Sequence, residues 1–366
     1  MRTSRRARMI VGLIALAFLA YGSASPAIAA ETTLVRFGVS PFQDTLVPIV
    51  GEKEGWYKQE GLDVRFRLLG WTEVMEGLSS GQIDVAISNI SSIVATHGRN
   101  PDLVYWYGTN PFDNGFALMI RPDHKLKTLA EVETTVHDRN EAIRLTAAQL
   151  RGRTIITTGN TDMEQGVAAA VKRGNLIFPR DVRIIDLNPD QGLAAFLRGE
   201  GDAYIGGIPQ RTRATKEGML EMLTGSDLGP PPINGLVTTR QFAQEHQDAL
   251  LKLLHVWFRT VRYIDKNIDA GGGIIISKLN ASSGAQFTAA DFRRFWNHYE
   301  HYPANPHEAQ ALILDPRGRN YWRSRWNDCN NYFFNIKKTI AEPVDAKGVF
   351  LMQEAQNQYV KRYGNE

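Results

Sequence analysis

A trio of histidines, one cysteine and a scatter of carboxylates are the first side chains to which chemistry could be assigned. His298 and His301 stand three apart with His307 beyond, a spacing that could turn imidazoles to one helix face for a metal. No HExxH run or cysteine pattern accompanies them, and neighbouring Tyr and Pro suit exposed histidines better. There is no G-x-S-x-G turn, and Cys329, alone in the chain, has no evident histidine partner. Being single, it cannot close an intramolecular disulfide and reads as a small buried hydrophobe. These residues point to no catalytic constellation, no cofactor and no metal. What remains are short polar and aromatic groups where strands are expected to end, at Gly70-Trp71 and Ser88-Asn89.

The elements that position those ends lie between Glu54 and Ser88. A helix closes on glycines, and Val64, Phe66 and Leu68 then alternate with Arg65 and Arg67 as a strand does. Val74, Met75 and Leu78 share one face of a following helix, and Ser80-Gly81-Gln82 turns into a second strand through Ile83, Val85 and Ile87. Two short strands joined by a helix make a right-handed parallel crossover, whose ligands sit beyond the carboxyl ends of the strands.

The same stretch resembles a known family. Lys53-Glu54-Gly55-Trp56-Tyr57-Lys58-Gln59-Glu60-Gly61-Leu62-Asp63-Val64 reads as KE-x-GWY-x-x-EGLDV without the spacer residue. Leu78-Ser79-Ser80-Gly81-Gln82-Ile83-Asp84-Val85-Ala86 reads as L-x-SGQ-x-DVA. The pair at this spacing resembles the periplasmic substrate-binding proteins of the nitrate/sulfonate/taurine (NMT1/THI5-like) family, which includes pyrimidine binders. The resemblance implies an α/β chain with the type II periplasmic-binding-protein fold, two doubly wound α/β lobes joined by a hinge. It implies a solute receptor rather than an enzyme. Its partners would be a small-molecule ligand and an inner-membrane ABC permease with its ATPase.

The N-terminus fits that implication. Arg2, Arg5, Arg6 and Arg8 precede an uncharged run from Met9 to Tyr21, and Ala27-Ile28-Ala29 is an A-x-A site, so residues 1–29 read as a signal peptide. The apolar run is shorter than the roughly 20 residues that span a bilayer. Arg8 stands where a twin-arginine motif wants an apolar residue, so general secretion into the periplasm is expected. No cysteine lies near the cleavage site to carry a lipid anchor. Removing the four leader arginines from the formal charge of +3 leaves −1, a balance that argues against nucleic acid or an acidic membrane as partner. The remaining ~336 residues exceed the ~250–300 at which single cores stop growing, which points to two domains in a monomeric receptor.

A first strand is expected over Leu34 to Ser40, with others over Leu103 to Tyr107 and Phe116 to Ile120. The resemblance places the crossover into a second lobe near Phe116 to Arg121. The expected division is 30–118 plus 236–366 for the first lobe and 119–235 for the second. Strand and helix alternate again from Thr154 to Gln210. Where the family joins its segments directly, the polar residues Glu133 to Gln149 intervene as an extra surface helix or loop. Leu250, Leu254, Trp257, Val261, Ile264 and Ile268 mark a long core-facing helix. Gly271-Gly272-Gly273 and the helices that follow are expected to pack back on the first lobe, and the Trp- and Tyr-rich segment from Phe295 to Phe334 reads as packing surface.

Motif alignment with the family carries ligand-contact positions onto Ser40, Phe42, Gln43 and Asp44, then Trp71, Ser88 and Asn89. Phe112 and Asn114 lie near the crossover. Thr158, Asn160, Thr161 and Asp162, with Gly207, Pro209 and Gln210, come from the second lobe. Against a ligand role, Thr161-Asp162-Met163-Glu164 has the pattern of a capping box, and Ser88 and Asn89 could also serve only as caps. The candidate loops hold no Lys or Arg, while Asp44, Asp162 and Glu164 sit near them. Carboxylates there would offset the helix dipoles and repel a bare anion. The expected ligand is therefore neutral or amine-bearing with a flat portion, with a small oxyanion (nitrate, sulfonate or carboxylate) as the alternative. An exported enzyme on the same fold, or a partner for a membrane sensor, are the rival functions.

Overall fold

Alternating apolar residues give the first strand, β1 (Thr33–Val39), in which Val35, Phe37 and Val39 are buried. In a computed structural model, which describes residues 32–123, 125–284 and 286–365, this strand is the seed of one of two five-stranded sheets. The expected signal peptide lies outside the described residues. The first sheet combines β1 with β2 (Leu62–Leu68), β3 (Val85–Asn89), β4 (Leu103–Pro111) and β10 (Ile233–Thr239), in the order β2-β1-β3-β10-β4. The second combines β5 (Ala117–Ile120), β6 (Thr154–Thr157), β7 (Arg183–Asp186), β8 (Ala203–Gly206) and β9 (Leu220–Thr224), in the order β7-β6-β8-β5-β9.

The two sheets repeat one plan. Three parallel strands are followed by one antiparallel strand that has crossed from the other half: β10 returning to the first, β5 arriving in the second. β2 and β3, expected as a crossover pair, are indeed parallel in one sheet, with β1 between them. The chain passes between sheets over 112–116 and again over 225–232, and the two passages are tied by Phe112 N–H donating to the Pro232 carbonyl at 2.8 Å. Divisions at 118/119 and 235/236 would each cut a strand, β5 and β10. The passages themselves are turn-rich, Asp113-Asn114-Gly115 in one and Gly229-Pro230-Pro231 in the other, and each strand begins just after its passage.

The motifs that carried the family resemblance act within the fold. Gly55 and Gly61 take left-handed backbone conformations (φ 73° and 72°) that favour glycine. They bracket Trp56 and Tyr57, and Trp56 packs edge-on against Tyr263 of the Gln247–Lys266 helix with Arg259 over its face. Gly81 (φ 69°) turns the chain so that Asp84 accepts the Arg36 backbone N–H at 2.8 Å and its guanidinium at 3.0 Å. Asp202 repeats this in the second sheet, accepting the Thr154 backbone N–H at 2.8 Å. Each aspartate stitches a strand start to its neighbour.

The glycine triplet lies inside a helix (Ile268–Ser283): a Cβ on Gly271 would meet Ile264 at 2.7 Å and one on Gly272 the Phe292 ring at 2.5 Å, so these two serve close packing. One expectation changes. The 133–149 insertion forms a helix, Arg139–Ala148, that buries Ala142, Ile143 and Ala147 and so is half core rather than only surface. β9 had no strand expectation at all. Among the described residues no helix is long and apolar enough to cross a membrane.

Candidate functional site

β1, β3, β6 and β8 end toward one another, and the loops that leave them enclose a cavity of about 60 Å³. From the first half it is lined by Phe42, Asp44, Trp71, Asn89 and Asn234, and from the crossing passages by Phe112 and Pro232. The second half contributes Thr158, Thr161, Asp162, Met163, Pro189, Ile205, Gly206 and Gly207. The walls are largely aromatic and apolar: Phe42 and Trp71 meet edge-to-face at 5.5 Å, and Phe112 stacks on Phe116 at 6.2 Å.

The structure thus brings Phe42, Asp44, Trp71, Asn89, Phe112, Thr158, Thr161, Asp162 and Gly207 to one cavity. Ser40, Gln43 and Ser88 are buried at the ends of β1 and β3 outside that lining, and Ser40 Oγ, Ser88 Oγ and Gln43 Oε1 have no hydrogen-bond partner. Asn114 lies in the passage, where its carbonyl accepts from Arg211 at 2.5 Å. Asn160 is exposed, and Pro209 and Gln210 are buried in the helix behind Gly207, with Gln210 donating to Asp190 at 3.0 Å.

The helix starts at the cavity differ in what satisfies them. Asn89 Oδ1 accepts the Ser92 N–H at 2.9 Å, capping the Ile90–Thr96 helix. Thr161 accepts from Met163 N–H at 3.2 Å and donates to the Thr158 carbonyl at 2.6 Å. Glu164 reaches back one residue further than a capping box requires, to the Asn160 N–H at 2.8 Å. The Ile208–Lys216 helix begins at Gly207 with no side-chain cap, and Pro209 removes one of its N–H groups.

Asp44 is the least compensated group. Its Oδ1 accepts the Thr45 N–H at 2.9 Å and its Oδ2 accepts from Asn234, and among the described ion pairs none involves it. Burial pushes its carboxyl up to about 6. Glu300, reached by Gln43 at 2.7 Å and by Asn110 at 3.2 Å, is pushed well above the carboxylate range by burial and then by the Asp44 charge.

Asp162 behaves otherwise. One of its oxygens is paired with Arg325 and the other accepts from Asn89. Glu164 is paired with Lys337. The loops hold no Lys or Arg of their own, but cations reach them from elsewhere: Arg325 from the Trp- and Tyr-rich segment that had read as packing surface, and Lys337 from just beyond it. A distance of 163 residues separates Arg325 from its partner, so no local signal could have announced it. Asn234 and Pro232 were missed because β10 starts before Gly235.

Two mixed sheets joined by two passages, with a cavity between their strand ends, define the periplasmic-binding-protein arrangement. The chain belongs to the NMT1-like family, whose model matches residues 28–271. Its structure is similar to that of the alkanesulfonate-binding protein SsuA from Xanthomonas axonopodis pv. citri bound to MOPS. Identity is 16%, coverage is 88% of this chain and 99% of that one, and the TM-score is 0.66. It is similar to the periplasmic aliphatic sulphonate binding protein SsuA from Escherichia coli at 15% identity, covering 87% and 91%, with a TM-score of 0.64. The desulfurization enzyme DSZB shares the fold at 14% identity, covering 90% and 99%, with a TM-score of 0.59. A comparison with curated proteins finds no match.

Proposed function

We propose that this protein is a periplasmic solute receptor that captures a small organic molecule between two lobes and delivers it to an inner-membrane ABC permease and its ATPase. The lobes would be the halves built on the two sheets, hinged at the crossing passages, and the receptor would act as a monomer after removal of residues 1–29. The observation that carries the reading is the cavity between the strand ends, where aromatic walls from Phe42, Trp71 and Phe112 surround one uncompensated carboxylate, Asp44. Such walls suit a flat portion of the ligand, and the carboxylate suits a hydrogen-bond donor, an amine above all. With Asp162 paired to Arg325, Asp44 supplies the net charge of the site.

A binding rather than catalytic role is supported by the lining itself. Cys329 lies outside the lining, fully buried, and burial pushes its thiol up to about 12, away from the thiolate that nucleophilic chemistry needs. The Thr158 and Thr161 hydroxyls already donate to the carbonyls of Leu187 and Thr158. The test is a screen of the purified protein for thermal stabilisation, paired with mass analysis of each stabilising compound after incubation. Stabilisation by amines or heterocycles recovered unchanged supports the receptor. Conversion of the compound overturns it in favour of an enzyme.

A further inference from the structure

The segment that supplies Arg325 is held to the two halves by different kinds of contact. Toward the first half it is fastened by packed rings: Trp322 of the Trp322–Asn330 helix stacks on Phe350 at 3.8 Å, and Phe350 stacks on Tyr105 of β4 at 5.2 Å. Backbone hydrogen bonds secure that fastening, Tyr105 N–H to the Val349 carbonyl and Leu351 N–H to the Tyr105 carbonyl, each at 2.8 Å. Toward the second half the contacts are mainly polar and converge on one helix, Asp162–Arg173. Arg325 pairs with Asp162 and donates to Gln165 at 2.8 Å, and Lys337, just past the π-helical segment Asn331–Ile336, grips Glu164. One ring contact, Tyr332 with Phe178 at 6.1 Å, accompanies them. Asn89, from the first half, holds the other oxygen of Asp162.

Packed rings resist separation because opening them returns apolar area to water. Buried ion pairs are different. Their attraction roughly balances the cost of desolvating them, so a pair that opens as a whole into water releases cheaply, whereas losing one partner leaves a buried charge. A segment anchored by rings on one side and by charges on the other will therefore part on the charged side.

We infer that residues Trp322–Lys337 form a latch that holds the two halves closed before any ligand arrives, with Arg325 and Lys337 as the positioning residues that grip the Asp162–Arg173 helix. The inference rests on the receptor reading above, because it takes the halves to open and close. Asp162 lines the cavity, so the helix that the latch grips is also one that a ligand touches. Ligand affinity then depends on how much of the protein is already closed, since apparent affinity scales with the competent fraction.

The experiment is a distance measurement between spin labels on the purified, ligand-free protein. One label replaces Arg67 at the exposed edge of the first sheet and the other replaces exposed Glu200 in the second half. Cys329, buried, stays unlabelled. The parent is expected to show one dominant short distance, and Arg325→Gln and Lys337→Gln are expected to make a longer distance the major population. Lys337→Arg keeps the charge and should retain the short one. Because Lys337 is only part-buried, Lys337→Gln should fold even where Arg325→Gln does not, as circular dichroism would verify. Distributions for Lys337→Gln that superimpose on the parent's, or a parent that is already open, overturn the latch. Neither result involves a ligand, so a failed ligand screen counts against the receptor reading alone.

Discussion

Asp44 is placed where folding alone would not choose it. Its carboxyl titrates near 6 in the folded chain against an ordinary value of 3.8. Between those values the unfolded chain holds fewer protons than the folded one, so stability from this group is greatest in acid and falls as pH rises toward 6. By pH 7 the burial costs on the order of 3 kcal/mol. Asp44→Asn should therefore raise the melting temperature at pH 7, with the gain shrinking toward pH 4, as calorimetry across that range would read. The Asn234 amide can turn its oxygen to meet the new donor. The same substitution should weaken an amine ligand at least tenfold, a trade of stability for binding seen where a residue is kept for function. A variant that loses stability and still binds would remove Asp44 from the site. Trp71→Ala should raise the Kd of a flat ligand by roughly tenfold through the lost ring contact, with the melting temperature little changed; calorimetric titration decides it.

Elements explain what was legible in advance. Strand alternation announced β1 and β2, and the glycine turn at Gly81 announced β3, whose five residues are all buried and write no period into the chain. The resemblance motifs pointed to the right fold for a structural reason: GWY packs on a core helix, and the aspartates of the two turns hold strand starts. Asp84→Ala is expected to cost about 2 kcal/mol of stability, the worth of hydrogen bonds to a charged group, and to leave ligand affinity unchanged. Denaturant unfolding and titration of the same sample separate the two. What local pattern did not show was packing between distant segments. The sequence does not say which residues Gly271 and Gly272 must admit; Ile264 and Phe292 lie against them. β9 is short and pairs only with β5, which itself comes from across the hinge.

At the scale of the molecule, the candidate site was legible by halves. Strand ends named Phe42, Asp44, Trp71 and Asn89, and helix starts named Thr158, Thr161 and Asp162, but the charge of the cavity is decided by a segment far along the chain. Without Arg325, Asp162 would join Asp44 as a second free charge; with it, one remains.

The measurement that bears most directly on the central claim is a thermal-shift series of the purified protein against amines, pyrimidines, carboxylates, nitrate and sulfonates at neutral pH. A true ligand at ~100 times its dissociation constant adds about 2.7 kcal/mol, a shift that is easily read. The expected result is stabilisation by an amine or a nitrogen heterocycle, lost in Asp44→Asn. Stabilisation by sulfonate or nitrate alone, undiminished in that variant, would contradict the account and assign recognition to the uncapped helix start at Gly207.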